Sequence, residues 1–244
     1  MADTITGELA IAQAQPTGTQ AIPARLGLAF GDFSPAGNSI MAAPLTIPAG
    51  TTGLTIGVDI SFELGAQPDT LLTIGNLVIA VDAAGYLGVS TTGVGLGVGV
   101  GIPYSADSVT AAQAAQGWHS LVWTIPLGVS LTPSNTGLLL DGAPVALQQV
   151  ASAPAVTLSG TLGLGVSMPA SGAGHWDGYV ANLYLWGRLL SVTEQGDWAS
   201  GYAPISGLLS AWPMDDGSGT SASNLVSGGS ALAWTGFNAP PTWL

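Results

Sequence analysis

The stretch that most constrains the fold of this chain runs from His175 to Tyr202, HWDGYVANLYLWGRLLSVTEQGDWASGY. Asp177-Gly178 predicts a tight turn, and the segment from Tyr179 to Trp186 predicts a β-strand. The two alternating sets of side chains in this strand are Tyr179, Ala181, Leu183 and Leu185 on one side and Val180, Asn182, Tyr184 and Trp186 on the other. Because both sets are mostly apolar, the pattern predicts a strand that is buried on both faces.

A short helix is predicted directly after this strand. Ser191 and Glu194 have the S-x-x-E spacing of a capping box, in which each side chain accepts a hydrogen bond from the other residue's backbone N–H. Gly196 falls within the following turn, and a glycine in a helix interior lowers the stability of the helix. We therefore expect one short helical segment near residues 191–198.

The order of residues in this stretch resembles the closing segment of concanavalin A-like jelly-roll domains of the laminin-G/pentraxin type. The matching positions are Trp176, Asp177, Gly178, Val180, Asn182, Leu183, Leu185, Trp186, Arg188, Leu190, Ser191 and Glu194. The resemblance implies an all-β protein, a two-sheet antiparallel jelly-roll sandwich. It implies no particular function, because this fold hosts lectins, adhesion modules, glycosidases and virion proteins alike.

Two further segments resemble the same family. GWHSLVWTI at 117–125 matches the G-W-H-x-[VL]-x-[WL] strand, in which the tryptophan packs into the core, so Trp118 and His119 are interpreted as structural. NTGLLLDGAPVAL at 135–147 resembles the hairpin that follows, with Asp141-Gly142 as its tight turn.

The last part of the chain resembles a block that often opens a laminin-G domain. GLLSAWPMDDGSGTSASNLVSGGSALAW at 207–234 has the order L-x-x-x-W-x-[LM]-[DE]-[DE]-G-x-G-T, but here it closes the domain. Jelly-roll termini lie close together, so such a permutation costs little stability. The resemblance therefore covers residues 45–243 and leaves the first residues without a counterpart.

Alternating apolar residues predict several other strands. TGLTIGVDISFEL at 52–64 places Leu54, Ile56, Val58, Ile60 and Phe62 on one side of a half-buried strand. The segment 70–91 predicts a strand, a turn at 82–85 and a second strand. Residues 91–102 predict a strand with one face of glycine, and residues 103–117 predict a loop.

The first residues differ in composition from the rest. They are rich in Gln, Pro, Gly and Ala, which predicts an extended arm with one or two short strands, one of them at 26–30. The predicted division is an arm or anchor at 1–45 and a jelly roll at 46–244. The arm is interpreted either as a flexible leader or as an anchor that docks on a neighbouring subunit.

Charged residues make up 7% of the chain, the formal net charge is −12, and Arg25 and Arg188 are the only cations. Nucleic-acid binding needs clustered Lys and Arg, and so does attraction to an anionic membrane, so we expect neither partner. The absence of cysteine excludes disulfides and thiolate metal sites. The N-terminal residues lack the features of a secretory signal, and no stretch is long enough to span a membrane.

No catalytic arrangement is predicted. Glycosidases of this fold hold two carboxylates across the scissile bond, but Glu8, Glu63 and Glu194 lie far apart, and the E-x-D-x-x-E strand of jelly-roll glucanases is missing. His119 and His175 each stand next to a core-like tryptophan, which does not indicate a Ser-His-Asp triad. We therefore expect no enzyme activity and no required cofactor.

Calcium is the one metal that the resemblance raises, because pentraxin and laminin-G relatives often bind it. The segment DDGSGTSASN offers Asp215, Asp216 and Asn224 as oxygen ligands. The family's aspartate after the G-x-G-T turn is Asn224 here, which removes one charge. An ordinary polar turn is therefore the favoured interpretation of this segment.

Glycan binding would require an exposed aromatic side chain with polar neighbours. Trp176, Trp198 and Tyr202 are the candidates, although core or loop packing explains each of them equally well. The sequence therefore does not locate a ligand site.

Two classes of function remain. The first is a non-catalytic structural protein on a virion surface, in particular a capsid decoration, fibre or spike protein of a tailed phage, favoured by the unmatched arm and the scarcity of charge. It predicts a homo-oligomer, preferably a trimer, whose arm docks on other copies or on an underlying capsid or tail protein. The alternative is an extracellular lectin-type module that binds a cell-surface glycan.

Overall fold

The computed structural model describes residues 18–22, 28–30, 41–62, 69–81, 86–91, 101–108, 117–148, 155–158, 160–164, 174–176, 178–235 and 242–243. The strands, in chain order, are β1 (Thr19–Ala21), β2 (Leu28–Phe30), β3 (Met41–Pro44), β4 (Gly53–Phe62), β5 (Asp69–Ile74), β6 (Leu77–Val81), β7 (Tyr86–Thr91), β8 (Gly101–Ser108), β9 (His119–Pro126), β10 (Gly137–Leu140), β11 (Ala143–Pro144), β12 (Leu147–Gln148), β13 (Thr161–Leu164), β14 (Gly174–His175), β15 (Gly178–Trp186), β16 (Tyr202–Pro204), β17 (Leu208–Trp212), β18 (Ser221–Ala222), β19 (Leu232–Trp234) and β20 (Thr242–Trp243). One helix, α1 (Val192–Ala199), lies between β15 and β16.

The strands form the predicted all-β jelly-roll sandwich. The front sheet has the order β11-β10-β9-β4-β15-β2-β20, with β17 also paired to β15. The back sheet has the order β12-β8-β7-β6-β5-β13-β3-β19-β18, with β14 also paired to β5. Strands β1 and β16 form a separate two-stranded ribbon. Pairing is antiparallel apart from β14 and β5.

The main core lies between the two sheets. Its members from β4 are Leu54, Ile56, Val58 and Ile60, as the alternation predicts, and its members from β9 are Leu121, Trp123 and Ile125. The C-terminal block completes this core, because β17 pairs with β15 and the side chain of Trp212 is fully buried. The indole of Trp212 donates a hydrogen bond to the carbonyl of Ser230 at 3.0 Å.

Strand β15 is buried on both faces, as predicted, but its alternation is interrupted. Ala181 pairs with Asp59 and Tyr184 pairs with Gly57, so two residues of β15 stand opposite one residue of β4. This β-bulge contains Asn182 in the left-handed backbone region, with φ of 51°. The prediction that Leu183 lies on the side opposite to Val180 was therefore wrong, because both belong to the main core.

A second, smaller core covers the outer face of the front sheet, and we call it the outer core. Its buried members are Val122, Tyr184, Trp186, Leu190, Trp198, Ala203 and Ala211. Helix α1 supplies Trp198 and the β1–β16 ribbon supplies Ala203, with Ile22 packed alongside. The outer face of β15 is therefore buried under a helix and a ribbon.

Helix α1 begins at the predicted capping box. The hydroxyl of Ser191 accepts from the backbone N–H of Glu194, and the Glu194 carboxylate accepts from the backbone N–H of Ser191 at 2.9 Å. Arg188 donates two hydrogen bonds to the same carboxylate and one to the carbonyl of Ser206. This bidentate ion pair lowers the pKa of Glu194 to about 2. No helix among the described residues is long and apolar enough to cross a membrane.

Three described segments of the expected arm pair with the rest of the same chain. Strand β1 pairs with β16, β2 pairs with β15 and β20, and β3 pairs with β13 and β19. The predicted strand at 26–30 corresponds to β2. These segments lie within the sheets rather than apart from them, because pairing satisfies their backbone groups locally. The N-terminal part of the expected arm, residues 1–17, lies outside the described residues.

Two other segments differ from the sequence prediction. The segment 70–81 is two strands with a turn at Gly75-Asn76, because Gly75 adopts a φ of 60° that reverses the chain. Residues 101–108 form β8 where a loop was expected from 103 onwards, since they pair with β7. The predicted turns at 82–85 and at Asp177 and most of the glycine-rich segment at 92–100 lie outside the described residues.

Candidate functional site

Two of the three aromatic residues predicted as glycan candidates are buried. Trp176 lies in the main core with an exposed fraction of 1%, and Trp198 lies in the outer core with 2%. The indole of Trp198 donates a hydrogen bond to the hydroxyl of Ser120 at 2.9 Å. Neither ring has a free face on which a sugar can stack. Tyr202, in β16, is half-buried.

The residues predicted as calcium candidates form hydrogen bonds within their own loop. The side-chain oxygen of Asn224 accepts from the backbone N–H groups of Ala211 and Val226, and its amide donates to the carbonyl of Ser230. Asp216 accepts from the backbone and the hydroxyl of Ser223. Asp215 is exposed. The side chain of Asn224 therefore connects β17 to the loop that follows β18 by hydrogen bonds.

The described ranges contain no group of three or more histidine, cysteine, aspartate or glutamate side chains that could hold a metal ion. Both interpretations of residues 215–224, a polar turn and a calcium site, stay predictions.

An aromatic pair that the sequence analysis assigned to the core is instead partly exposed. The ring centroids of Trp118 and Tyr179 lie 6.1 Å apart with an interplanar angle of 49°, and both residues are only half-buried. The expectation that Trp118 packs in the core was wrong. Trp123 occupies a core position on β9 instead, because alternate residues from Leu121 to Ile125 face inward and Trp118 falls on the other side.

The Trp118–Tyr179 pair lies on the outer face of the front sheet, at the end away from Trp198 of helix α1. Tyr179 pairs with Ser61 of β4, and Trp118 directly precedes His119, the partner of Ile60. Further along β4, the outer face at Gly57 is covered by the ring of Trp198. Helix α1 therefore closes one end of this face and leaves the aromatic pair at the other.

Polar side chains on the same strands are held in fixed positions close to the aromatic pair. Asp59 stands next to Ser61 in the alternation of β4 and pairs with Ser120 of β9. Its carboxylate accepts a hydrogen bond from the amide of Asn182 at 2.8 Å. The bulge at Asn182 makes this contact possible, because it turns the amide toward β4.

Asp141 provides a second carboxylate at this end of the sheet. One of its oxygens lies 2.7 Å from Nδ1 of His119, and the other accepts from the backbone N–H of Ser120 at 2.8 Å. Asp141 and Gly142 both have positive φ, which forms the predicted tight turn between β10 and β11. The side chain of Asp141 is 49% exposed, so its carboxylate is ordered and still accessible to solvent.

This arrangement is suited to binding a molecule that has both an apolar face and hydroxyl groups. The aromatic rings offer flat apolar surface, and the exposed carboxylate of Asp141 offers hydrogen-bond acceptors at a fixed position, whereas Asp59 is buried. The hydroxyl of Ser120 accepts a hydrogen bond from the indole N–H of Trp198 and so fixes helix α1 to the front sheet. We call Trp118, Tyr179, Asp59 and Asp141 the aromatic–carboxylate site.

The alternation of apolar residues in the sequence indicated that Trp118 faces away from the core, but the resemblance to the family's G-W-H strand favoured a core position. In GWHSLVWTI, the apolar alternation Leu121, Trp123, Ile125 places even-numbered residues on the opposite side, and Trp118 is even-numbered. Tyr179 likewise directly precedes a core residue, Val180, and so faces the opposite side of its strand. The proximity of Trp118 to Tyr179 depends on β4 lying between their strands, which periodicity does not show.

No protein-family model matches the chain, and no curated protein matches it in sequence. Comparison with solved structures supports the all-β jelly-roll fold. The fold is shared with a candidate carbohydrate-binding protein from Bacteroides ovatus ATCC 8483, with a TM-score of 0.57 and 14% identity. That match covers 90% of this chain and 62% of the Bacteroides protein, so this chain spans about three fifths of its length.

Two other similar structures have lower scores. A heptameric SAP-like pentraxin from Limulus polyphemus matches with a TM-score of 0.47 and 12% identity, over 69% of this chain and 79% of the pentraxin. A structure of botulinum neurotoxin type C, whose cell entry depends on interaction with two ganglioside molecules, matches with a TM-score of 0.44 and 9% identity. That match covers 71% of this chain and 44% of the neurotoxin chain.

Proposed function

We propose that this chain is a non-catalytic carbohydrate-binding module and that the aromatic–carboxylate site binds the glycan. The observation that carries the proposal is the half-buried pair of Trp118 and Tyr179, whose ring centroids lie 6.1 Å apart on the front sheet. Large aromatic rings on the surface of a sandwich are costly to leave in water, and a sugar ring covers them with its apolar C–H face.

The exposed carboxylate of Asp141 supplies the second requirement, a hydrogen-bond acceptor. Asp141 is ordered by His119 and by the backbone of Ser120, so it loses little conformational entropy when it accepts a hydrogen bond from a sugar hydroxyl. Asp59, which accepts from the amide of Asn182, is buried and contributes negative charge rather than a direct contact. The fold that the chain shares with a candidate carbohydrate-binding protein is compatible with this role. The same role would place the protein outside the cell or on a particle surface.

The proposal is tested by screening the purified chain on an array of glycans and measuring the best binders by calorimetry. Trp118→Ala and Tyr179→Ala each remove one ring of the pair. Tyr202→Ala is the matched control, because it removes a half-buried aromatic side chain from β16. Thermal melts of all variants check that each remains folded.

We expect Trp118→Ala and Tyr179→Ala to weaken glycan binding about 10-fold or more, in line with an aromatic contact worth roughly 1–2 kcal/mol. Tyr202→Ala should bind like the unmodified chain. Equal loss in the control, or glycan binding that survives the removal of both rings, would place the binding surface elsewhere and reject this site.

A second candidate function is a structural component of a particle surface, such as the virion of a tailed phage. Specific support comes from large apolar side chains at the surface, with exposed fractions of 83% for Val192, 54% for Leu225 and 53% for Ile205. A chain with 7% charged residues has little repulsion to keep copies of such a surface apart. This function predicts a homo-oligomer, preferably a trimer, which docks on a capsid or tail protein.

Light scattering of the full chain tests this second candidate. Strands β1 to β3 take part in the sheets, so the informative truncation removes residues 1–17 only and keeps β1. A trimer that becomes a monomer on truncation supports an anchoring role for these residues. A stable monomer in both forms that also binds an immobilised glycan favours the carbohydrate-binding module.

A further inference from the structure

We infer that the aromatic–carboxylate site selects neutral sugars and discriminates against sugars that carry a carboxylate or sulfate group. This inference rests on the proposed carbohydrate-binding function and adds the chemical class of the ligand. It follows from the charges that surround the aromatic pair and from the position of the chain's few cations.

The carboxylates near the pair all act against an anionic ligand. Asp141 has a side chain that is 49% exposed and projects from the turn that follows β10. Asp59 lies two residues before Ser61 on the same face of β4, and Ser61 pairs with Tyr179. Asp59 is buried, with an exposed fraction of 4%, and Asp141 stands beside Ser120, two residues from Trp118. Both therefore act on an anionic group of a sugar at the rings through their charge rather than through direct contact. Each like-charge contact at about 4–8 Å in water weakens binding roughly two- to fivefold.

No described cation compensates for these charges. The chain has no lysine, and its only arginines are Arg188 and Arg25, the latter outside the described residues. The guanidinium of Arg188 is engaged by Glu194 and by the carbonyl of Ser206.

Arg188 is also distant from the aromatic pair. Its carbonyl accepts from the hydroxyl of Thr55, whereas Tyr179 pairs with Ser61 of the same strand. Six residues of extended strand separate these positions on β4, which corresponds to about 20 Å. This separation exceeds the screening length of about 8–10 Å at physiological ionic strength. Arg188 therefore cannot attract an acidic group that is bound at the pair.

Among the described residues, the histidine nearest in sequence to the aromatic pair is His119. It is buried, with an exposed fraction of 5%, and its Nδ1 is occupied by the carboxylate of Asp141. The net charge of −12 adds a diffuse repulsion of the same sign.

The experiment uses sugar pairs that differ only in charge. The methyl glycosides of glucose, galactose and mannose are each compared with the methyl glycoside of the corresponding uronic acid, by NMR titration of the full chain in 20 mM and 500 mM NaCl. We expect the neutral member of a pair to bind roughly tenfold more tightly than its uronate at low salt. The ratio should fall at high salt, because salt screens the repulsion.

Asp141→Asn tests the origin of the discrimination. The asparagine retains an oxygen for the backbone N–H of Ser120 but removes the charge, so the ratio of neutral-sugar affinity to uronate affinity should fall about threefold. Asp197→Asn, which removes a carboxylate from α1, is the control and should leave the ratio unchanged. If Asp141→Asn fails to fold, the salt dependence of the unmodified chain alone decides the question.

The outcomes separate this inference from the function on which it rests. Equal binding of neutral sugars and uronates, or tighter binding of uronates, overturns the inference while the carbohydrate-binding function stands. Absence of binding to every sugar of either kind rejects the function itself. A neutral preference that is insensitive both to salt and to Asp141→Asn also overturns the inference, because the discrimination would then not be electrostatic.

Discussion

The indole ring of Trp198 lies against the backbone of Gly57, in the space that a larger side chain would need. A Cβ atom added to Gly57 would come within 2.9 Å of the ring. The same indole donates to Ser120 and meets the rings of Tyr184 and Trp186 edge-on, at centroid distances of 5.2 and 5.6 Å. Helix α1 can therefore approach the front sheet closely only because residue 57 has no side chain.

Replacement of Gly57 by alanine is expected to lower the free energy of unfolding by about 1–3 kcal/mol, because the new methyl group forces the indole away from the sheet. Urea denaturation measures the change. Gly196→Ala is the control, since nothing lies within 4 Å of its Cβ position and alanine favours the helix by about 0.5–1 kcal/mol. Equal stability of the two variants would contradict the proposed packing.

The buried and the partly exposed tryptophans should differ in their contribution to stability. Trp212→Ala and Trp186→Ala each remove a fully buried ring, and we expect a loss of about 3–5 kcal/mol. Trp118→Ala should cost less than half as much, because its ring is already in contact with water. Chemical denaturation of the three variants provides the comparison. If Trp118→Ala lowers the free energy of unfolding as much as Trp212→Ala does, the side chain of Trp118 is buried in the core after all.

The capping box should make stability depend on acid pH. Arg188 holds the pKa of Glu194 down to about 2 in the folded state, compared with an ordinary value of 4.5. The stabilisation is therefore complete above about pH 4.5 and is lost as the pH falls toward 2. Glu194→Gln should lower the melting temperature at pH 7, and the difference from the unmodified chain should disappear near pH 2.

Asp197→Asn provides the control for this pH series, because it removes a carboxylate from the same helix but leaves the capping box intact. The role assigned to the Arg188–Glu194 pair is incorrect if the Glu194→Gln difference persists unchanged at pH 2.

Tyr184 should make stability depend on alkaline pH. Burial, followed by the charge of Asp215, raises the pKa of Tyr184 to about 12. Above pH 10 the unfolded chain loses this proton more readily than the folded chain, so the stability present below pH 10 falls as the pH rises toward 12. Tyr184→Phe should flatten this part of the melting-temperature profile.

Tyr184→Phe is also expected to cost little at neutral pH. The amide of Gln20 lies near the Tyr184 hydroxyl, but neither group meets the geometry of a hydrogen bond, and both lack another partner within the described residues. Removing an unsatisfied buried hydroxyl changes stability by about 1 kcal/mol or less, or increases it. A loss of 2 kcal/mol or more would show that the hydroxyl has a strong partner.

The loop that contains Asn224 should be stable without a metal. Asn224→Ala removes three hydrogen bonds and should cost about 2–3 kcal/mol, whereas Asn224→Asp keeps the two accepted bonds and loses only the donor to Ser230. The melting temperature of the unmodified chain should be the same with excess calcium and with chelator. A chelator-induced decrease would instead support a calcium site at Asp215 and Asp216.

Local sequence patterns determined the elements whose stability depends on near neighbours. The spacing of Ser191 and Glu194 fixes the start of α1, because both partners of the capping box lie within one turn. The pair Asp141-Gly142 fixes a hairpin, because only residues that tolerate positive φ fit that turn. Alternation in β4 correctly assigned its inward-facing residues. The family pattern assigned the jelly-roll fold.

Only the tertiary structure decided which aromatic residues are buried and which can meet a ligand. Trp198 is buried because Gly57, far away in the chain, leaves room for it. Trp118 is partly exposed because Trp123 takes the core position and α1 does not extend over the end of the sheet. These outcomes depend on pairing across β4 and on the bulge at Asn182, and a one-residue shift in register reverses the face of every following side chain.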